Sequence, residues 1–224
     1  APYNPVGRPV RGEPTLSEGV RPMLGVTLGV HDYLERVCEE VKRIDRRQVE
    51  NLCDLIEGRY RSGRFVFIIG NGGSGSTASH LCEDLAKCTL RDFESQRRLR
   101  VLSLTDNTPW VTAVANDIHY EAVFLEQLKN LASPGDLLLA ISGSGNSPNI
   151  LKAVEWANAH GMETVGITGF NGGKLKGLAH HGLHAAVDDM GIVESLHLVV
   201  FHWVIDDLNR RFSEPAASTG NGAR

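Results

Sequence analysis

The stretch Ile141-Ser142-Gly143-Ser144-Gly145-Asn146-Ser147 follows the apolar run Leu137-Leu138-Leu139-Ala140 and leads into a helical pattern that opens at Pro148. A buried strand therefore ends in a turn of serines and glycines and restarts as a helix. At such a junction several backbone N–H groups lack intrahelical partners, the helix dipole adds positive potential, and the serine hydroxyls supply further donors. The turn suits a phosphate. An earlier segment repeats the design: Phe65-Val66-Phe67-Ile68-Ile69 runs into Gly70-Asn71-Gly72-Gly73-Ser74-Gly75-Ser76 and then a helix. Gly/Ser turns are ordinary strand–helix connectors, but two of them at the ends of two strands point to a phosphorylated ligand.

Outward from these turns the chain alternates strand and helix. Strands are expected at 65–69, 98–104, 136–142, 162–168 and 184–187. The first is Val/Ile/Phe-rich without alternation, as when both faces of a parallel sheet are buried. Helices are expected at 76–89, 110–115, 120–131, 148–160, 174–177 and 191–212. Before the first strand, Val30, Leu34, Val37, Val41 and Ile44 recur three or four apart within a helical pattern that runs from 28 to 62. That segment could cover the sheet, pair with a second copy, or do both. The alternation implies right-handed crossovers and a three-layer α/β/α sandwich, with ligands outside the carboxyl ends of the strands. Both Gly/Ser turns fall there. Residues 1–20, with four prolines and three glycines, read as a flexible extension. Residues 25–212 read as one domain, and the small, polar tail 213–224 is expected to be disordered.

The bulk numbers narrow the class. A length of 224 residues favours one α/β domain with a sizeable core. Hydrophobic content of 42% and charged content of 22% are ordinary for a soluble globular chain. A net charge of −4 leaves no basic footprint, which argues against nucleic acid as a partner. Cys38, Cys53, Cys82 and Cys88 form no C-x-x-C pair and read as reduced thiols of a cytoplasmic protein. No apolar run reaches transmembrane length, and no signal-peptide core is visible, so no membrane partner is expected.

Titratable groups cluster in two helical segments. His80 and Asp84 are four apart and share a helix face, a spacing that can offer an imidazole and a carboxylate to one metal ion or simply form a surface hydrogen bond. Glu194, His197 and His202 lie within the apolar pattern of the last helix, where unpaired polar groups are costly. His197 and His202 are each read with two alternatives, a core histidine bonded to a backbone carbonyl or a carboxylate, or a site residue. Glu194 and His202 are eight residues apart, about 12 Å along a straight helix, whereas metal–ligand bonds span about 2 Å. Both can hardly reach one ion from one uninterrupted helix, so either the helix breaks or, as preferred here, the two serve different copies of a site shared in a homo-oligomer. Asn116-Asp117 could bind polyol hydroxyls or form a turn. His180-His181 reads as a solvated loop without a role.

Taken together, Gly70-Asn71-Gly72-Gly73-Ser74, His80, Ile141-Ser142-Gly143-Ser144-Gly145-Asn146-Ser147, and Glu194-x-x-His197-x-x-x-x-His202 resemble the sugar isomerase (SIS) domain, and within it the phosphoheptose isomerase branch. The resemblance covers roughly residues 25–212. It implies a flavodoxin-like, doubly wound five-stranded parallel sheet, a homotetramer with sites between subunits, and isomerisation of sedoheptulose 7-phosphate to a heptose 7-phosphate aldose through an enediol. It further implies that Asn71, Gly72, Gly73, Ser74, Asn116, Asp117, Ser142, Gly143, Ser144, Ser147 and Glu194 hold the sugar phosphate. One zinc ion per site would be held by His80, Asp84, Glu194 and His202, with the general base and acid at Asp84 and His202. The chain departs from the family pattern twice, with Asp84 in place of Glu and Glu194 in place of Gln. The alternative readings are a non-catalytic phosphosugar sensor or partner-binding regulator, and an isomerase of another sugar phosphate.

Overall fold

The computed structural model of the protein describes residues 27–213. The expected N-terminal extension and the tail beyond Ser213 lie outside the described residues. In chain order the elements are α1 (Val30–Arg43), α2 (Arg46–Ser62), β1 (Phe65–Gly70), α3 (Gly72–Lys87), β2 (Arg100–Ser103), α4 (Thr108–Asp117), a 3-10 turn (Tyr120–Ala122) and α5 (Leu125–Leu131). They continue with β3 (Leu137–Ser142), α6 (Pro148–Ala159), β4 (Glu163–Thr168), α7 (Leu175–Leu178), β5 (His181–His184) and α8 (Met190–Ser213). The five strands pair in parallel in the order β2-β1-β3-β4-β5, a doubly wound α/β fold.

Side chains alternate across each strand, so one buried strand feeds two cores. Val66 and Ile68 of β1 pack with Leu52 and Ile56 of α2, Leu81 and Leu85 of α3, and Phe201, Val204 and Leu208 of α8. Phe67 and Ile69 pack on the opposite face with Val114, Leu128, Ile150 and Val154. The two helices that carry most of the candidate titratable groups, α3 and α8, thus share one layer. Asp136, buried ahead of β3, accepts from Phe65 N at 2.9 Å and Ser133 N at 2.8 Å and locks the start of β1 beside β3.

Four expectations change. The long N-terminal helical pattern is two helices. Asp45 turns extended and accepts the Arg47 N–H at 2.9 Å, which starts α2 afresh. α3 begins at Gly72 rather than Ser76, because Gly75 N already bonds Asn71 O at 3.1 Å. The glycines are therefore the helix's first turn and not a loop before it. β2 is only four residues long, with Arg100 and Leu102 open on the sheet edge. β5 spans His181–His184 instead of 184–187, because the His181 imidazole is bracketed by Asn51 Nδ2 at 3.2 Å and Glu163 Oε2 at 3.1 Å. With those partners, His181 joins the sheet instead of lying in a solvated loop, and His180 stays just ahead of the strand.

Candidate active site

Both Gly/Ser turns lie at the carboxyl ends of adjacent strands, β1 and β3. Neither following helix has a side-chain cap. Asn71 precedes α3 and Ser147 precedes α6, yet neither side chain bonds a first-turn N–H of its helix. The Asn71 amide is engaged elsewhere, in a reciprocal pair with the buried Asn149 (Nδ2 to Oδ1 at 2.9 Å and 2.8 Å) and as acceptor from Tyr120 OH at 3.0 Å. The first N–H groups of α3 are thereby left for an anion. A cavity of about 200 Å³ lies between the turns, lined by Asn71, Ser74, Ser142, Ser144, Ser147 and Glu194 among others. Its size and its hydroxyl donors suit a phosphate group.

The second turn is held from below by a third loop. Gly145 N bonds Ser142 O at 3.0 Å, Gly145 O accepts from Leu175 N at 2.9 Å, and Asn146 Oδ1 accepts from Lys174 N at 3.1 Å. Gly145 has a φ of +65°. The cradle is therefore pinned to this loop through backbone and through the Asn146 side chain. Gly143 packs under Met190 and Val193. Gly73 lies against the Glu194 carboxylate so closely that a Cβ there would sit 2.6 Å from Glu194 Cδ.

One level further along the same helices lies a second cluster. His80 and Asp84 of α3 meet His202 of α8, with their ligating atoms all within 4.8 Å of one another. His80 Nε2 stands 3.3 Å from Asp84 Oδ2, and the His80 and His202 rings are 5.4 Å apart, centre to centre, edge to face. Glu83 points away and pairs with Lys87 at 3.2 Å. The three residues fit a divalent metal of the zinc type. Two imidazoles and a carboxylate within one reach leave a fourth position open, the pattern of catalytic rather than structural sites. Glu194 stands apart from this cluster, beside Gly73. From Gly73 to His80 along α3, as from Glu194 to His202 along α8, the rise is about 10 to 12 Å. Within one chain, then, Glu194 lines the cradle and His202 lies in the cluster.

The remaining predicted residues lie elsewhere or have other partners. Asn116 and Asp117 are exposed at the end of α4, where Asn116 Nδ2 bonds Asp117 Oδ1 at 2.8 Å, and they do not line the cradle of this chain. His197 is a core histidine, bonded to Thr168 O at 3.3 Å, and burial pushes its pKa from 6.5 down to about 4. The unfolded chain takes up this proton below pH 6.5, while the folded chain resists until about pH 4, so stability falls as pH drops through that window. Urea midpoints measured from pH 7 to pH 4 should decline, with a shallower slope in His197→Leu. Sequence reasoning missed the Asn149 and Tyr120 partners of Asn71. It also missed Cys88, whose thiol donates to Asp84 Oδ1 at 3.4 Å. Desolvation and then the Asp84 carboxylate raise the Cys88 pKa, so the thiol stays a protonated donor. The i, i+4 step from Asp84 was the available signal.

Comparison with known proteins settles the family. Residues 31–169 match the SIS domain model. The chain belongs to the SIS domain family. It is 34% identical over 179 residues to the phosphoheptose isomerase of Fusobacterium nucleatum, covering 80% of this chain and 89% of the relative. It is 36% identical over 182 residues to that of Helicobacter pylori (strain Shi470), covering 81% of this chain and 91% of the relative. Among solved structures, the phosphoheptose isomerase of Francisella tularensis superposes with a TM-score of 0.75 at 26% identity, covering 81% of this chain and 96% of the other. The enzyme from Neisseria gonorrhoeae gives 0.74 at 25% identity, covering 84% and 99%.

Proposed function

We propose that this SIS-domain protein is an aldose–ketose isomerase that interconverts sedoheptulose 7-phosphate and D-glycero-D-manno-heptose 7-phosphate. The observation that carries the reading is the meeting of His80, Asp84 and His202 beside a phosphate-sized cradle, in a chain similar to phosphoheptose isomerases over most of its length. Ser74, Ser142, Ser144 and Ser147, with the first amides of α3, grip the phosphate.

Asp84 takes the proton from the carbon beside the carbonyl, and His202 returns a proton on the neighbouring carbon as the enediol collapses. Zinc held by His80, Asp84 and His202 would polarise the substrate's oxygens. The protein works as a homotetramer whose sites are shared between subunits, with Glu194 of one copy and His202 of another completing one centre. An apolar groove of about 460 Å³ between α1, α2 and α8, lined by Val41, Ile44, Leu196, Val199 and Trp203, supports burial against a second copy. No described helix is long and apolar enough to cross a membrane. Four free cysteines suit the cytoplasm.

The test is turnover of sedoheptulose 7-phosphate by the purified protein, with metal analysis before and after chelation. We expect turnover that is lost on chelation and restored by zinc. Purified protein that holds no metal and leaves the substrate unchanged would instead favour a sensor.

A further inference from the structure

Asp84 has one methylene fewer than a glutamate, and a short, partly buried carboxylate has two interchangeable oxygens unless something distinguishes them. Here both are assigned. Oδ2 faces His80 Nε2 at 3.3 Å, and Oδ1 accepts the Cys88 thiol at 3.4 Å. His80, Asp84 and Cys88 follow one another at i, i+4 and i+8 along a single stripe of α3. The contact also sits where the two helices of the cluster are tied together. Asn209 of α8 donates its amide to Cys88 O at 2.8 Å, and its Oδ1 accepts from Arg91 Nε at 3.0 Å. Asn209 lies seven residues beyond His202, two turns along the same helix. Residue 88 thus joins the carboxylate of α3 to the helix that supplies His202.

We propose that Cys88 is a positioning residue. Its thiol holds the plane of the Asp84 carboxylate so that one oxygen is presented to His80 and His202, and its backbone carbonyl sets the register of α8 against α3. Cys88 does not touch substrate. It acts through Asp84, as residues that orient a metal-ligating carboxylate do. The inference rests on the function proposed above for Asp84, but the contact itself can be tested without it.

Two measurements decide the matter. Zinc affinity, read by competition with a chromophoric chelator, should weaken about tenfold in Cys88→Ala and return to within a few-fold of wild type in Cys88→Ser, which keeps a donor. Unfolding midpoints should stay level across the three proteins. Unchanged affinity in Cys88→Ala, or an equal loss in both variants accompanied by a lowered midpoint, overturns the proposal. The second measurement needs no metal. Alkylation by iodoacetamide, resolved by peptide mass, should run several-fold faster at Cys88 in Asp84→Ala and stay the same at Cys38, because the sulfur is no longer held in its contact with the carboxylate oxygen. An unchanged rate at Cys88 would likewise overturn it. A wild-type protein that binds no zinc refutes the proposed function, and the alkylation rates still decide whether Cys88 holds Asp84.

Discussion

Asp84→Asn is expected to lower kcat for the heptose phosphate by about three orders of magnitude while KM stays within a few-fold, since a positioned general base contributes about 10²–10⁴ in rate. The amide matches the carboxylate in shape and its oxygen can still accept the Cys88 thiol, so packing at the end of α3 is preserved. In the proposed mechanism, what disappears is the proton acceptor beside His80 and His202 and one anionic ligand for a metal. KM is spared because the phosphate is gripped at the other level of the helices, by Ser74, Ser142, Ser144 and Ser147. Steady-state kinetics with the metal-loaded variant check this. A kcat within tenfold of wild type would remove Asp84 from the chemistry and shift the burden to His202.

Gly145→Ala is expected to cost on the order of 3 kcal/mol of stability and to abolish measurable binding of the sugar phosphate. Two effects combine. The backbone is in the left-handed region, with a φ of +65°. A Cβ would also lie 2.6 Å from the carbonyl carbon of Gly172 and 3.1 Å from Gly173 N. Neither neighbour is a side chain that could swing away. The reverse holds too, since a Cβ on Gly173 would press on the backbone of Gly145. The Ser142–Ser147 turn and the 169–173 loop must therefore move apart, which withdraws the hydroxyls from the cradle. Urea unfolding and calorimetric titration with the sugar phosphate read the two effects separately. A variant that unfolds at the wild-type midpoint and binds as before would show that the interlock is not needed.

Much of this architecture was legible because it rests on short-range rules. Leu137–Ile141 and Phe65–Ile69 have no polar alternation, so they had to be doubly buried strands, and the Gly/Ser runs after them had to be helix entries. The limit of that reasoning shows at Gly72. Glycine and serine look like loop residues, and the chain was expected to coil until Ser76, yet the first turn of α3 is made of them because Asn71 O captures Gly75 N. His181 failed the same way. Its neighbours in sequence are polar and small, whereas its partners, Asn51 and Glu163, come from α2 and β4.

By itself the sequence determined the order of strands and helices, the two Gly/Ser turns at strand ends, and the bound that Glu194 and His202 cannot serve one point from one helix, because these follow from residue periodicity and from the fixed rise of a helix. Only the tertiary structure decided which residues meet. α3 and α8 pack in one layer against the same face of β1, through Leu81, Leu85, Phe201 and Val204, and this apolar contact is what brings His202 to His80 and Asp84, and Glu194 to Gly73. Periodicity marks the buried stripe of each helix but carries no information about the register of one stripe against another. That register is set by side-chain packing and by single long-range bonds such as Asn209 to Cys88.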